Sequence, residues 1–185
     1  MIDDIDHDFE HAQLHKVWGK YAGTVADNSD PQQMGRLQVH CDAILGSAVV
    51  WAMPCVPYAG KGVGMHFLPP KEAGVWIEFE GGDVSRPIWT GCYWAKGDLP
   101  AQASSADMKV IVTAKASVLI DDGAGEVKVS NQSGSTVTWN SNVETAAATS
   151  KHTVGAAGVV SESGAGKVQV GPASVSVNDG AFSVL

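Results

Sequence analysis

The sequence has few basic residues and no long apolar run, and each shortage excludes a class of protein. Lys and Arg number 12 against 20 Asp and Glu, for a formal net charge of -8. A surface of that sign repels phosphate backbones, which argues against nucleic acid as a partner. A membrane-spanning helix needs about 20 apolar residues in succession, and no such run occurs. The acidic start, Met1–Asp6, is unlike a basic secretion signal, so we expect a cytosolic chain.

Cysteine is also scarce. Cys41, Cys55 and Cys92 are odd in number and widely separated. One pair could form a bridge, but their apolar, strand-like surroundings favour buried free thiols. No Cys–His pair has a recognisable catalytic signature, and the G-x-S-x-G nucleophile motif is missing. We therefore expect neither an enzyme nor a cofactor.

Aromatic residues are concentrated in the first half of the chain. Five of the six tryptophans lie between Trp18 and Trp94, whereas Trp139 and Phe182 are the aromatic residues that follow Met108. That later stretch is rich in Val, Ala, Ser, Thr and Gly instead. The change indicates an N-terminal arm at 1–20, a barrel at 21–95, an aperiodic linker at 96–107 and a second module at 108–185.

Alternation of apolar and polar residues is clearest at the end of the first module. From Gly74 to Glu80 it predicts a strand with one buried face. Gly81-Gly82-Asp83 supplies a turn, and a second strand runs from Ile88 to Trp94 after a proline suited to its start. Three earlier β-type runs are Tyr21–Ala26, Arg36–His40 and Val49–Met53. Five strands suit a small all-β barrel of the OB type.

The segments that carry this pattern also resemble a known family. They are Tyr21–Pro31, Met34–Val39, Trp51–Pro54, Pro57–Gly60 and Gly74–Trp94, in that order. The chain resembles the phage baseplate assembly protein V family, which forms the central spike of contractile phage tails and of related injection systems such as type VI secretion. The resemblance implies an OB-like five-stranded barrel followed by an intertwined, trimeric β-helix or β-prism needle.

The resemblance further implies partners and structural signature positions. The expected partners are two further copies of the chain, a baseplate hub protein above the barrel and, transiently, the target cell envelope. The expected location is the baseplate of a virion or injection particle assembled in the cytoplasm. The signature positions, all expected to be structural, are Gly35, Arg36, Trp76, Glu78, Gly82, Asp83, Pro87, Trp89 and Gly91.

Short alternating runs recur through the second module at a spacing of about eight to ten residues, typical of a β-solenoid or β-helix. The runs are Lys109–Thr113, Ser117–Asp121, Glu126–Ser130, Ser135–Trp139, Gly158–Ser161, Lys167–Val170, Ala173–Val177 and Ala181–Val184. Each offers only two or three apolar side chains on one face, so one chain cannot bury that surface or protect its strand edges. Three chains wound together can, which favours a homotrimer.

Three groups of residues could carry chemistry, but each has a simpler interpretation. His7-Asp-Phe-Glu-His11 fits a metalloprotease pattern and gains a third imidazole from His15, yet no peptidase domain surrounds it. Glu78 and Glu80 are about 7 Å apart along a strand and could form an acid–base pair, but the solvated side of the strand explains them. His152 is a weak metal candidate: a trimer could bring three copies to its axis, whereas a solvent-facing histidine needs no metal. The H-x-H pair that often holds a metal near the needle tip in the family is missing.

Two functions are compatible with these sequence features. The first is a structural spike that attaches to the hub and carries the load of contraction to the target envelope. The alternative is an OB-fold carbohydrate or nucleic-acid binding module that stacks ligands on Trp18, Trp51, Trp76 or Trp89. Acidity opposes nucleic acid, and either ligand leaves the second module unexplained.

The chain ends on the apolar residues Phe182, Val184 and Leu185. Three copies would form a small apolar platform, and exposed apolar surfaces invite a partner. Spikes in the resembling family are often sharpened by a separate small conical protein. We therefore expect such a tip protein to bind these three residues.

Overall fold

A computed structural model describes residues 16–184, with side chains through Phe182. The chain divides into two compact units at Asp98 and Leu99, within the predicted linker at 96–107. No helix in the described residues combines the length and the apolar character needed to cross a membrane. The motif His7–His11, His15 and Leu185 lie outside the described residues.

The first unit is built around a closed barrel of five strands in the order β1-β2-β3-β7-β6. Its strands are β1 (Tyr21–Asp27), β2 (Leu37–His40), β3 (Val49–Pro54), β6 (Gly74–Phe79) and β7 (Pro87–Tyr93). Neighbouring strands are antiparallel except β3 and β7, which close the barrel in parallel. The predicted all-β, OB-like five-stranded barrel is confirmed. Closure leaves the barrel without an unpaired sheet edge.

Short elements connect these strands. Helix α1 (Asp42–Leu45) joins β2 to β3, and a 3-10 turn (Glu80–Gly82) joins β6 to β7. A separate two-stranded hairpin, β4 (Ala59–Gly60) and β5 (Val63–Gly64), lies in the long connection between β3 and β6. The barrel strands are therefore short, and the connection between β3 and β6 forms a separate hairpin.

Alternation along the strands fills the barrel interior. Val75 and Ile77 are fully buried and Phe79 nearly so, whereas the intervening Trp76 is 36% exposed, as the alternation predicted. The remaining core residues are Val25, Leu37, Val39, Cys41, Ala52 and Trp89. Burial of each large apolar side chain contributes on the order of 1.5 to 3 kcal/mol. The barrel thus has a complete hydrophobic core within one chain.

All three cysteines are free, but only one is buried. Cys41 belongs to the barrel core, and burial raises the pKa of its thiol. Cys55 and Cys92 are exposed, so the prediction of buried thiols is wrong for them. Cys55 follows the end of β3, and Cys92 lies beyond an irregularity in the β6–β7 pairing, where the barrel no longer encloses the side chain.

The second unit is a single antiparallel sheet of ten strands, each hydrogen-bonded to the next along the chain. The strands are β8 (Met108–Val112), β9 (Ala116–Asp121), β10 (Glu126–Asn131), β11 (Thr136–Trp139), β12 (Val143–Ala147), β13 (Ser150–Gly155), β14 (Gly158–Ser163), β15 (Gly166–Val170), β16 (Val175–Val177) and β17 (Phe182–Val184). The eight predicted runs correspond to strands, and β12 and β13 were missed. A β-helix is not formed within the described part of one chain, which provides one sheet.

A carboxylate organises the turn between β1 and β2. Asp30 accepts hydrogen bonds from the backbone N–H groups of Gln32, Met34 and Arg36 at 2.9, 2.8 and 3.2 Å. The Arg36 guanidinium donates two more, the shorter at 2.7 Å, and lies 4.9 Å from the Trp51 ring centre. The Asp30 side chain is 4% exposed. Arg36 and then the backbone donors hold the pKa of Asp30 well below its ordinary value.

We predict that Asp30→Asn lowers the melting temperature by several degrees at pH 7, because the amide loses the charge and part of the five-bond network. A depressed pKa in the folded state stabilises the fold above the unfolded pKa of about 3.9 and is lost as pH falls toward the folded value. The wild-type minus variant difference should therefore shrink below about pH 4. Thermal melts of both proteins from pH 7 to pH 3 measure it, with exposed Asp42→Asn as control. A difference independent of pH would contradict the assigned role of the charge.

Candidate assembly interfaces

The register of the ten-stranded sheet sorts its side chains onto two faces of different character. Directly opposed residues of antiparallel strands point to the same side, so paired positions can be followed from strand to strand. One side, here called the valine face, carries Ile111, Val118, Ile120, Val127, Val129, Val137, Trp139, Val143, Val154, Val159, Val168, Val170, Val175, Val177 and Phe182. Small and polar residues such as Ala147 and Ser163 complete one margin of it.

The valine face is left uncovered by its own sheet. No residue in the described part of the second unit, 99–182, is buried. The large apolar side chains exposed there lie on the valine face, except Leu99; Ile111 is 53% exposed, Trp139 43% and Phe182 62%. Soluble monomers rarely present a contiguous apolar surface that runs the whole length of a sheet. This face is therefore the strongest candidate for an interface.

From β10 to β15 the opposite side of the sheet, here called the polar face, carries positive and negative charges, whereas at β8 and β9 the same side carries Met108, Val110, Val112 and Leu119. Lys151 pairs with Glu144 at 2.6 Å, and that carboxylate raises the pKa of the lysine. Glu162 lies directly opposite Lys167 in the β14–β15 register, and Lys167 also bonds Asp179 at 2.8 Å. Paired charges of both signs suit contact with water, and each exposed pair adds little to stability. The valine face therefore has the character of an interface, and the paired charges of the polar face have the character of a solvated surface.

His152 lies on the valine face. It is opposite Thr145 on one side and Ser161 on the other, so the three form a polar interruption across neighbouring strands. The His152 Nδ1 is 2.8 Å from the Ser161 hydroxyl oxygen. Within the described residues of one chain, no three His, Cys, Asp or Glu side chains group as a metal site. The structure thus places His152, the weak metal candidate of the sequence, among the apolar residues of the valine face.

A second apolar surface lies on the barrel unit. Met34, Tyr58, Val63, Met65 and Phe67, each 48 to 58% exposed, line an open groove of about 580 Å³ bordered by the β4–β5 hairpin. We call it the apolar groove. The groove was not predicted, because the Gly and Pro residues of this segment indicate only turns. The large apolar residues between those Gly and Pro residues were the sequence feature that could have predicted it.

Several of the signature residues help to hold the barrel strands in place. Gly35 has φ +76°, and its carbonyl accepts a hydrogen bond from the buried Trp89 indole at 3.2 Å. Pro87 is buried as the first residue of β7. Gly91 has φ +148° next to the irregularity in the β6–β7 pairing. These positions shape the barrel, and Gly35 also lines the apolar groove.

The turn between β6 and β7 depends on two further signature residues. Gly82 has φ +76°, and a Cβ there would lie 3.0 Å from the Lys16 Cβ. The Asp83 carboxylate accepts hydrogen bonds from the Ser85 hydroxyl and backbone N–H at 2.8 and 2.9 Å, which lowers the Asp83 pKa. The close approach of Lys16 explains the glycine at position 82, and the hydrogen bonds that cap the loop explain the aspartate at position 83.

Glu78 lies in β6, whereas Glu80 begins the 3-10 turn, so the predicted pair of carboxylates along one strand is not formed. Glu78 makes an ion pair with Lys20, whose ammonium also donates to Thr90 at 3.0 Å. Glu80 makes a separate ion pair with Arg86 at 2.6 Å. Each carboxylate therefore has its own cation on the solvated side of the barrel, and the arrangement lacks the shared substrate position that acid–base catalysis needs.

The tryptophans do not form a stacking platform. Trp89 is 4% exposed, which overturns the expectation that it could stack a ligand, because its ring fills the barrel core. The Arg36 guanidinium occupies one face of Trp51, and Trp76 makes a tilted contact with the tyrosine of β7 at 4.9 Å. Trp18, 58% exposed, is the most accessible of these four rings.

Comparison with known proteins agrees with the barrel. Residues 21–94 match the family model described as the type VI secretion system/phage-baseplate injector OB domain. No curated protein gives a significant match to the chain. The family match confirms the resemblance identified in the sequence and supports a structural role in a baseplate or spike. Residues 21–94, which form the barrel, are therefore similar to the type VI secretion system and phage-baseplate injector OB domains.

Proposed function

We propose that this protein is the central spike of a contractile tail or related injection system and works as a homotrimer without enzymatic activity. The observation that carries the proposal is the valine face, which one chain leaves exposed along its entire second unit. The family of the barrel supports the baseplate setting. The mature spike would assemble in the cytoplasm of the producing cell and contact a target envelope only on contraction.

Three sheets that turn their valine faces inward would form a closed prism. Its interior would be lined by Val and Ile, and its outer surface by the paired charges of the polar face. The exposed valines of this face are 36 to 44% exposed in one chain, so burying the rest of each contributes only part of the roughly 1.5 to 3 kcal/mol of a complete burial, and every substitution counts three times in the trimer. Two facing sheets would also cover the surface, and resemblance to trimeric spikes favours three.

Such a needle would suit force transmission. Successive strands of a sheet lie about 4.8 Å apart, so the ten strands stack along the direction in which the chain advances. Packing between three chains makes local opening costly, because a displaced strand exposes apolar surface on its own chain and on its neighbours. Axial load is then carried by the whole assembly.

We predict that the purified chain has a solution mass of about three times 19.2 kDa. Val154→Lys should abolish the trimer, because it places three unpaired ammonium groups in an apolar interior. Multi-angle light scattering after size exclusion measures both proteins.

Thr153→Lys is the matched control. Thr153 immediately precedes Val154 in β13 and points to the opposite face of the sheet, where it pairs with Glu144. It should leave the trimer mass unchanged. A wild-type monomer or dimer would refute the trimer. Equal effects of the two lysines would refute the inward orientation of the valine face.

Truncation after Asp98 should give a soluble, folded barrel that has lost tight self-association and the heat resistance of the whole protein. The barrel has its own buried core, whereas the valine face lies wholly beyond the cut. Light scattering and thermal melts of the fragment and the full chain test the separation. A fragment that stays trimeric and equally heat-resistant would place the trimer contacts in the barrel.

Two further apolar surfaces, one on each unit, suit two different partners. We assign the apolar groove to the baseplate hub, because half-exposed Tyr58, Met65 and Phe67 offer a large apolar contact area. We assign the end of the chain to a small conical tip protein. Phe182, opposite Val177 in the last strand pair, is its described apolar anchor. Val184 follows in β17, and Leu185 would add to the same platform.

Co-purification with proteins encoded by the same particle separates these two contacts. Phe67→Asp should lose the hub and keep the tip protein, whereas Phe182→Asp should lose the tip protein and keep the hub. Removing a central aromatic anchor typically weakens an interface by about 2 kcal/mol or more, a change of roughly 30-fold in affinity. Each variant controls for the other. Failure of both variants to change either partner would remove both assignments.

A further inference from the structure

The β4–β5 hairpin has two outer strand edges, although it lies beside a closed barrel. Among the described residues, its two strands pair only with each other. The Met65 N–H donates to the Tyr58 carbonyl at 2.9 Å, and the pair next to it is Ala59 opposite Gly64. Bonded and non-bonded pairs alternate in an antiparallel ladder, so the backbone N–H and C=O groups of Ala59 and Gly64 point away from the hairpin. A third strand could therefore bind at either edge.

The two edges differ in how well they are protected. On the β4 side, Pro57 has no N–H to donate, and proline is a usual guard of an exposed edge. On the β5 side, N–H directions alternate, so the N–H groups of Gly64 and His66 point away from β4. Within the described part of the chain, the His66 N–H has no backbone partner. Residues 62–68 contain no Lys, Asp, Glu or Pro, so the β5 edge lacks the usual guards.

The side chains along the β5 edge suit a neighbouring strand. Val63, Met65 and Phe67 occupy alternate positions, which places them on one side, and they are 55, 48 and 58% exposed. All three line the apolar groove. Gly64 lies between Val63 and Met65 and has no side chain to obstruct another backbone. The edge therefore combines free backbone groups with an apolar strip of period two.

The charges near this edge indicate the sign of a partner. Lys61 lies in the turn of the hairpin, and within the described residues it makes no ion pair. The carboxylate that lines the groove, Asp30, is already bonded to Arg36. One end of the edge thus presents an uncompensated positive charge, which a carboxylate of the partner would complement.

We propose that the hub binds the apolar groove by strand addition, with an extended hub segment pairing its backbone to the outer edge of β5. Alternate apolar side chains of that segment pack beside Val63, Met65 and Phe67, and a carboxylate near one end pairs with Lys61. In this mode of recognition, main-chain hydrogen bonds supply affinity and alternate side chains supply specificity. The inference rests on the assignment of the groove to the hub, to which it adds the conformation and chemistry of the hub segment.

Hydrogen exchange of the full-length trimer, with and without the hub protein encoded by the same particle, tests the backbone pairing. Mass spectrometry with residue-level fragmentation measures single amides. Hub binding should slow exchange of the Gly64 amide by about tenfold or more, because that N–H gains a strand partner. The Ala59 amide is the internal control and should keep its rate, because it points from the opposite edge of the hairpin.

A pair of substitutions at one position separates the backbone from the side chain. His66→Pro removes the outward N–H, whereas the matched control His66→Ala removes the same imidazole and keeps the N–H. We expect His66→Pro to weaken hub binding by about tenfold or more, since a hub carbonyl loses its donor, and His66→Ala to change it by less than about twofold. Titration calorimetry of each trimer with the hub protein measures the affinities.

Reversing the charge at the hairpin turn tests the expected carboxylate. Lys61→Glu should weaken hub binding on the order of fivefold at low salt, and high salt should reduce the difference. Lys96→Glu is the control, because Lys96 is also exposed and belongs to neither the hairpin nor the groove. Equal binding by Lys61→Glu and wild type would overturn the assigned carboxylate.

The results distinguish this inference from the proposed function. A hub that does not bind the wild-type trimer, or that binds Phe67→Asp equally well, would overturn the groove contact and strand addition together. A hub that requires Phe67 but leaves Gly64 exchange unchanged would overturn strand addition alone. Equal affinities of His66→Pro and His66→Ala would overturn it as well.

Discussion

The constraint on which this structure depends is the burial of apolar side chains that alternate along short antiparallel strands. In the barrel, five strands close on themselves, and residues such as Val75 and Ile77 are buried within one chain. In the second unit the same alternation runs through ten strands that form one layer. None of its described residues is buried, so its apolar face stays exposed in one chain, and the proposed trimer would cover it. The same alternation thus gives a core in the first unit and an uncovered face in the second.

This difference explains how the proposed spike divides its work. The barrel holds its shape through its core, the Asp30 network and the indole bond of Trp89, all of which lie within one chain. In the proposed trimer the second unit would gain stability by association, which would link its folding to assembly. Such a needle would resist partial opening, because each strand would contribute to the packing of neighbouring chains as well as its own.

Strand prediction succeeded where alternation was strong and failed where it was weak. Gly74–Phe79 alternates large apolar and polar residues, and its strand, turn and buried face all follow from that pattern. In β12 and β13, by contrast, Val143 and Val154 are the only large apolar residues between Trp139 and Gly158. The other positions of the two strands are Glu, Thr, Ala, Ser, Lys, His and Gly, which give no periodic apolar signal. These strands form because their neighbours on both sides supply a register, which is information outside the segment.

The sequence by itself determined the two-module organisation, the five-stranded barrel, the resemblance to baseplate spikes and the presence of a valine-rich β repeat. Composition and period two are local properties, and they are readable without knowledge of pairing. Only the tertiary structure decided which residues of different strands share a face. It placed Trp89 in the core and Cys55 and Cys92 outside it, and it set His152 beside Ser161 among valines. Those outcomes depend on cross-strand register and barrel closure, because pairing between strands determines the neighbours that a side chain meets.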